Sequence, residues 1–249
     1  MAQNAIHKLS TVRRYARPSL AIVALILASG SSRAADPPSD LARRAAERET
    51  ATEAERAHYT YRQTVVLSDY TGEYRETRDV IFSPGGERTE VAIGKPANNL
   101  RRLILTEEDF RDIREVQPML LTRDTLWLYD STFRGEETIE GIDCWQLEIR
   151  PRQILQGQRM FDGTLWIDQQ DFSIVRSEGK AVPEIVRLKQ ENLFPRFTTI
   201  REKTGGFWFP SKTLADDTLQ FRSGPVRIRM RIEYSNYRRF EADSKIEYK

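Results

Sequence analysis

The chain has 249 residues, with 39 lysines and arginines against 37 aspartates and glutamates, two histidines and one cysteine. One cysteine cannot form an intrachain disulfide, so the composition excludes a disulfide-stabilised scaffold and leaves the stability to core burial. The formal net charge of +2 gives no support for a nucleic-acid partner, which needs a clustered basic face.

The first 34 residues have the layout of a secretory signal peptide. Basic residues from Lys8 to Arg17 precede an apolar run from Leu20 to Ala28, which is shorter than the roughly 20 apolar residues of a membrane-spanning helix. Ser32 and Ala34 place small residues where a signal peptidase reads them. We predict a leader over residues 1–34, cleaved after Ala34 or Ala35, with an uncleaved N-terminal anchor as the alternative.

Removing the leader reverses the sign of the net charge. The leader contains five basic residues and no acidic one, so 34 basic and 37 acidic residues remain and the net charge becomes −3. We therefore expect no nucleic-acid partner. Cys144 does not directly follow the apolar run of the leader, as lipid attachment would require, so we expect a soluble exported protein. Beside Trp145, this cysteine is interpreted as a small apolar strand residue.

Residues 35–249 are interpreted as a single, mainly β domain. The stretch from Leu41 to Ala57 is rich in alanine, glutamate and arginine, which predicts an amphipathic helix that Ser39 or Asp40 could cap. From Tyr59 onward, threonine, valine, tyrosine and isoleucine predominate and predict an antiparallel meander. A short second helix should open with the capping box "TEED" from Thr106 and end near Pro118.

Strands are predicted to resume at Thr125 and to continue to Phe240, with Gly205-Gly206 as a two-residue hairpin turn. The last strand alternates between five apolar residues on one face, Val226, Ile228, Met230, Ile232 and Tyr234, and four charged residues on the other, Arg227, Arg229, Arg231 and Glu233. One face should be buried and the other wet. By contrast, both faces look apolar at Thr125–Tyr129 and Thr164–Ile167.

A single sheet with apolar residues on both faces must curl or be covered. We therefore predict a strongly curved antiparallel sheet, an unclosed half barrel, with the N-terminal helix and the short inserted helix as a lid. The sequence leaves open whether the concave face holds a packed core or a lipophilic cavity. It also leaves open which residues of each strand face inward.

Asp168 and Asp171 separate two apolar runs, "TLWI" and "FSIV". Aspartate favours chain reversal, so we interpret both as turn residues of a hairpin.

Catalysis by carboxylate pairs is the competing interpretation. Asp162 with Asp168, or Asp216 with Asp217, could form a glycosidase couple. Each lies near a strand end, however, where turn and solvated roles explain it better. Beyond the leader the only histidine is His58, which disfavours a zinc site or a serine triad. We predict a protein that is not an enzyme, with no catalytic residues, metal or cofactor.

Two stretches, "LWIDQQDFSIVRSEG" and "FPRFTTIREKTGGFWFPSKT", resemble hairpins of the outer-membrane lipoprotein-sorting family, the LolA, LolB and RseB-like periplasmic proteins. In that family a strand reading Trp-Ile-Asp, a turn, a return strand reading Val-Arg and a later Gly-x-Trp-x-Pro strand recur. Here these are Trp166 to Asp168, Val175-Arg176 and Gly206 to Pro210. The resemblance covers Leu41 to Tyr248.

The resemblance implies a monomeric periplasmic carrier that binds the acyl chains of lipoproteins or other lipids, touches membrane surfaces transiently and needs no cofactor. Under this interpretation, the candidates for lining the lipid cavity are Trp127, Leu165, Trp166, Ile167, Trp208 and Met230. The family's lid-closing arginine would be one of Arg43, Arg44, Arg48 and Arg56.

The alternative function is that of an RseB-like envelope sensor or protein-interaction module without carrier activity. Its partner would be another envelope protein. The exposed arginine face of the last strand, Arg227, Arg229 and Arg231, would be the surface to test.

Overall fold

The computed structural model of the protein describes residues 37–83, 87–115, 121–155, 159–187 and 190–240. The predicted leader and the predicted helix end at Pro118 lie outside these residues. Neither helix in the described part of the chain has the length and apolarity that crossing a bilayer requires.

The described residues contain two α-helices, α1 (Leu41–Arg56) and α2 (Glu107–Glu115), and one 3₁₀ helix (Leu126–Leu128). They also contain thirteen strands: β1 (Tyr59–Ser68), β2 (Glu73–Phe82), β3 (Arg88–Ala92), β4 (Ala97–Asn98), β5 (Tyr129–Ile139), β6 (Ile142–Pro151), β7 (Met160–Asp168), β8 (Ile174–Val182), β9 (Ile185–Arg187), β10 (Gln190–Asn192), β11 (Phe197–Thr204), β12 (Phe207–Phe221) and β13 (Gly224–Arg239).

Eleven of these strands form one antiparallel sheet. Its order is β3-β2-β1-β13-β12-β11-β8-β7-β6-β5, and β4 pairs with β2 outside this path. The two terminal strands of the path, β3 and β5, do not pair with each other, so the sheet is unclosed. Strands β9 and β10, which the sequence did not predict, form a separate two-stranded ladder. The predicted unclosed half barrel with two helices is confirmed.

The face of the sheet that the two helices cover is called the inner face. It carries a continuous apolar core to which α1 contributes Leu41, Ala45 and Ala46, and α2 contributes Ile113. The alternation predicted for β13 is confirmed, because Val226, Ile228, Met230, Ile232 and Tyr234 are all buried in this core. The outer face of most strands is polar and faces water.

Strand β7 is buried on both faces, as its sequence predicts. Leu165 and Ile167 are fully buried in the inner core, while Trp166 between them is only 7% exposed on the outer face. Trp166 joins Cys144 and Val175 in a second, smaller cluster. The sheet is therefore covered on two sides at this point, and the second cover is the tip of the β5–β6 hairpin, through Ile139 and Ile142.

The strand predicted to begin at Thr125 begins instead at Tyr129. Thr122 N–H donates to Thr125 Oγ1 at 2.9 Å and Thr125 N–H donates to Thr122 O at 3.1 Å. Local threonine bonds of this kind offer the backbone an alternative to strand pairing. They wind Leu126–Leu128 into a 3₁₀ helix, so the two-faced burial predicted there is wrong.

Helix α1 can lie close against the sheet where its inward residues are the small Ala45 and Ala46. Asp40 occupies the N-cap position, but its carboxylate pairs with Arg43 and does not cap the helix. At the centre of the helix, Arg201 of β11 donates two hydrogen bonds of 2.7 Å to Glu49. Both side chains are 1% exposed.

We expect Glu49→Ala to lower the free energy of unfolding by about 3–5 kcal/mol, because it leaves the Arg201 charge buried with its main counter-charge removed. Urea unfolding followed by circular dichroism measures this. Arg43→Ala is the matched control, since it breaks two exposed ion pairs at the same helix and should leave the free energy of unfolding almost unchanged. Equal costs for the two variants would contradict this account of α1 docking.

Candidate functional site

The six residues predicted to line a lipid cavity do not share one surface. Leu165, Ile167 and Met230 lie in the inner core and are at most 2% exposed. Trp166 and Trp208 lie with the outer cluster. Trp127 is 62% exposed on the 3₁₀ helix. The split follows from strand geometry, because successive residues of a strand point to opposite faces.

Side chains largely fill the inner face. Beneath α2, the inner pocket bounded by Leu67, Ile113, Phe194, Ile228 and Met230 has a volume of about 30 Å³. One water molecule occupies about 30 Å³ of the liquid. The described residues thus place a packed core where the sequence left open a core or a cavity, and this pocket is too small for an acyl chain as it stands.

A wider mouth adjoins this pocket at the end of the half barrel. It has a volume of about 300 Å³, and Leu103, Ile104, Glu191 and Phe221 line both spaces. Ile104 is 83% exposed, which is unusual for a large apolar side chain beside a core. The mouth is therefore an apolar entrance whose inner end is closed by packing.

The segment before α2 is anchored by its own capping box. Thr106 N–H donates to Asp109 Oδ2 at 2.6 Å, and Asp109 N–H donates to Thr106 Oγ1 at 3.3 Å. Leu105 and Phe110 pack against the core on either side of this cap, in the positions of a hydrophobic staple. Burial raises the pKa of Asp109, against the opposing hydrogen bonds from Thr106.

Two further contacts attach α2 to the sheet. Phe110 packs against Tyr74 with ring centres 5.3 Å apart. Asp112 forms a buried ion pair of 3.0 Å with Arg159, whose guanidinium also donates to Asn192 O at 3.1 Å. The helix spans nine residues, so these few contacts fix its position over the inner pocket.

The sequence analysis missed the mouth residues Leu103, Ile104 and Phe221. The apolar run Leu103 to Leu105, directly before the capping box, could have indicated an apolar surface beside α2. Only the fold shows that Phe221, at the end of β12, meets this run.

The four arginines of α1 that were candidates for a lid residue have different environments. Arg43 is exposed and pairs with Asp40 and Glu47. The Arg44 guanidinium lies 3.6 Å from the centre of the Phe172 ring. Arg48 donates to Ser173 Oγ and to Gly206 O, each at 2.9 Å. Arg56 alone among them is buried, 5.8 Å from the ring centre of Phe82.

Asp168 and Asp171 form the turn predicted for the β7–β8 hairpin. Asp168 Oδ1 accepts from Gln170 N–H at 2.8 Å, and Asp171 Oδ1 accepts from Ser173 N–H at 2.9 Å. Burial raises the pKa of Asp168. Burial acts in the same direction on Asp171, but the bonds from Ser173 and the nearby cations hold the pKa of Asp171 below its ordinary value.

The carboxylate couples considered above are not brought together. Asp162 and Asp168 lie six residues apart on strand β7, which corresponds to about 20 Å at roughly 3.3 Å per residue. Asp216 binds Arg227, while Asp217 accepts the Arg196 N–H at 2.9 Å. Among the described residues, no group of three or more histidine, cysteine, aspartate and glutamate side chains could hold a metal ion.

Cys144 occupies the outer cluster and is fully buried. Burial, with Asp168, Asp143 and Glu137 nearby, raises the pKa of its thiol to about 12. The thiol is therefore protonated at neutral pH, as expected of an apolar strand residue.

No family model matches the sequence, and neither does any curated protein. The chain is similar to solved structures. One is a DUF1329 family protein from Desulfovibrio piger, with 17% identity and a TM-score of 0.46. The match covers 84% of this chain and 96% of that chain. The similar structures also include a protein described as an outer membrane lipoprotein-sorting domain from Vibrio parahaemolyticus, with 11% identity, coverages of 83% and 93%, and a TM-score of 0.44.

A LolA superfamily protein from Nitrosomonas europaea is a third such structure, with 15% identity, coverages of 80% and 97%, and a TM-score of 0.34. Likenesses at this level concern the arrangement of the chain and assign no ligand or partner.

For the hairpin turn, we expect Asp168→Asn with Asp171→Asn to change the free energy of unfolding by less than about 1 kcal/mol and to leave ligand binding unchanged. Asparagine retains the side-chain oxygen that accepts the local N–H bonds. Burial already disfavours the charged form of Asp168, so removing that charge should cost little.

The matched control for this hairpin is the alanine pair at the same positions, which removes both acceptors and should destabilise the protein more in urea unfolding. If the asparagine pair destabilised the protein as much as the alanine pair, the two negative charges, and not the turn bonds, would be what the hairpin needs.

Proposed function

We propose that the protein is a periplasmic binding and carrier protein for the acyl chains of lipoproteins or other lipids, which it binds at the mouth beside α2. The observation that carries the proposal is the exposed Ile104 at an apolar entrance that leads directly to the inner pocket floored by Ile228 and Met230. The side chains of Leu103, Phe221 and Val226 also line this mouth.

In this proposal the described arrangement is the closed state of the carrier. A pocket of about 30 Å³ is far below the roughly 300–1,000 Å³ typical of ligand sites. Displacing α2 would join it to the mouth of about 300 Å³. The apparent affinity for an acyl chain would then include the free energy of opening, since only the open state accepts the chain.

The gain from an acyl chain is large enough to open such a lid. A chain of about 15 methylenes gains roughly 12 kcal/mol on leaving water, at about 0.8 kcal/mol for each CH₂. The acyl chain gains a similar free energy in a membrane. A carrier can therefore receive and release the chain if its own binding free energy is close to that of the membrane. We propose that it does so as a monomer, in transient contact with the membrane surface.

An RseB-like interaction module is the second candidate function. It is favoured by the row of exposed arginines on β13, whose side chains are 57–66% exposed. Each is paired with Asp216 or Glu233, so this face is nearly neutral and offers a mixed charge pattern to another envelope protein.

For the carrier function, we expect Ile104→Glu to weaken the binding of an environment-sensitive fluorescent acyl probe at least tenfold, because a charge at the mouth must be desolvated when the chain enters. The melting temperature should not change, since the side chain is 83% exposed. A fluorescence titration measures the binding.

Ile154→Glu is the matched control for the mouth variant, because Ile154 is also exposed, at 52%, and lines neither the mouth nor the inner pocket. It should bind the probe as the unchanged protein does. Equal binding by both variants would place the acyl site elsewhere. Failure of the unchanged protein to bind any probe would contradict the carrier function and favour the interaction module.

For localisation, we expect the mature protein to begin at Ala35 or Asp36 and to fractionate with soluble periplasmic material. The basis is the short apolar run of the leader. N-terminal sequencing of the protein from an envelope extract measures this. A chain that starts at Met1 in the membrane pellet would show an uncleaved anchor instead.

A further inference from the structure

A second apolar pocket lies on the outer face of the sheet. It has a volume of about 360 Å³, and it shares no lining residue with the mouth or the inner pocket beside α2. Its apolar walls come from three places: the tip of the β5–β6 hairpin (Ile139 and Ile142), β8 (Val175), and β11 with β12 (Ile200, Trp208 and Leu214). The volume lies within the range of ligand sites, about 300–1,000 Å³.

Two hydrogen-bond donors at this pocket have no acceptor. Trp208 Nε1 and Arg176 Nε are both buried and make no hydrogen bond. The Arg176 guanidinium lies 4.5 Å from the ring centre of Trp166, and its Nη2 donates to Glu178 Oε2 at 3.0 Å. Buried donors without acceptors are rare in folded proteins because they lose their bonds to water and gain nothing in return. Two at one apolar pocket indicate a place where a ligand oxygen would be stabilised.

The hairpin tip is the part of the wall that extends beyond the paired strands. The β6–β7 ladder ends at the pair Cys144 and Asp168, and the tip continues beyond it through a turn at Glu140 and Gly141, both with positive φ. One further backbone bond, from Gln169 N–H to Asp143 O at 3.0 Å, holds the base of the tip. Beyond that bond, the tip rests on the pocket through Ile139 and Ile142. Water does not reach the two donors in this arrangement, so an acceptor reaches them when the tip shifts.

We propose that this outer pocket binds a single-chain amphiphile with a carboxylate head group, and that the β5–β6 hairpin tip is its cover. The carboxylate accepts from Trp208 Nε1 and Arg176 Nε, while Arg176 keeps its bond to Glu178 through Nη2. The alkyl chain lies against Val175, Leu214 and the two isoleucines of the tip. A cationic head of the same chain length is disfavoured, because it offers no acceptor to either donor. This site does not rest on the carrier function proposed for the mouth.

The test uses the indole N–H signals of the four tryptophans in ¹H–¹⁵N correlation spectra of the full mature protein. The titrants are decanoate and decyltrimethylammonium, both below their micelle concentrations, and Trp208→Phe assigns the Trp208 signal. Each titration is repeated in the Ile104→Glu variant, so that binding at the mouth is recognised separately. Trp127, which is exposed and lines neither this pocket nor the mouth nor the inner pocket, serves as the internal reference.

Decanoate is expected to shift the Trp208 signal in both the unchanged and the Ile104→Glu proteins and to leave the Trp127 signal in place, while decyltrimethylammonium shifts neither. Trp208→Phe should fold normally, because the donor that it removes has no partner and the phenyl ring still packs against the outer cluster. It should weaken decanoate binding about tenfold, the loss expected for one hydrogen bond to a charged group. Trp127→Phe, the same change at an exposed position, should bind decanoate as the unchanged protein does.

Three results would overturn the proposal: no decanoate binding, binding that leaves the Trp208 signal and the Trp208→Phe affinity unchanged, or an equal response to the cationic amphiphile. Loss of the decanoate effect in Ile104→Glu alone would assign the binding to the mouth and would also overturn it.

Discussion

The rest of this structure depends on burying the apolar inner face of one unclosed sheet away from water. A closed barrel buries its interior by pairing its first and last strands, but here β3 and β5 remain apart, so helices must complete the cover. Helix α1 does this with alanines that allow a close approach, and α2 does it with Ile113 and Phe110.

The two helices are attached by different means. Glu49 and Arg201 bind each other across the centre of the α1 contact, in a place with almost no exposure to water. A pair of this kind contributes little net stability compared with apolar residues of similar size, but it strongly penalises any arrangement that separates the charges. It therefore fixes where α1 lies. Helix α2 is shorter, and one buried ion pair, Asp112 with Arg159, attaches it to the sheet. The position of α1 is thus firmly fixed, whereas α2 has fewer attachments. A carrier whose lid opens would need this difference between its two helices.

The outer face departs from the simple pattern of a wet sheet surface. Around Trp166, Cys144 and Val175 the sheet is covered by the tip of its own edge hairpin, and there the hydrogen bonding is incomplete. Local rules of strand formation account for the apolar residues on both faces of β7. They do not account for two buried donors without acceptors, and such local inconsistencies tend to mark functional positions in otherwise consistent folds.

The sequence by itself determined the features that depend on neighbours along the chain. The alternation from Val226 to Tyr234, the paired positive φ angles at Gly205-Gly206, the Thr106–Asp109 capping box and the aspartate turn before β8 each follow from local geometry or local hydrogen bonds. Together they were enough to predict a mainly β half barrel with two helices. Only the tertiary structure decided which face Leu165 and Trp166 serve, that the inner face is packed, and that Ile104 meets Phe221 at a mouth. It also decided that Glu49 meets Arg201, 152 residues away. These outcomes depend on the order and curvature of the strands, and the free energy that fixes them comes from contacts between segments that no local pattern relates.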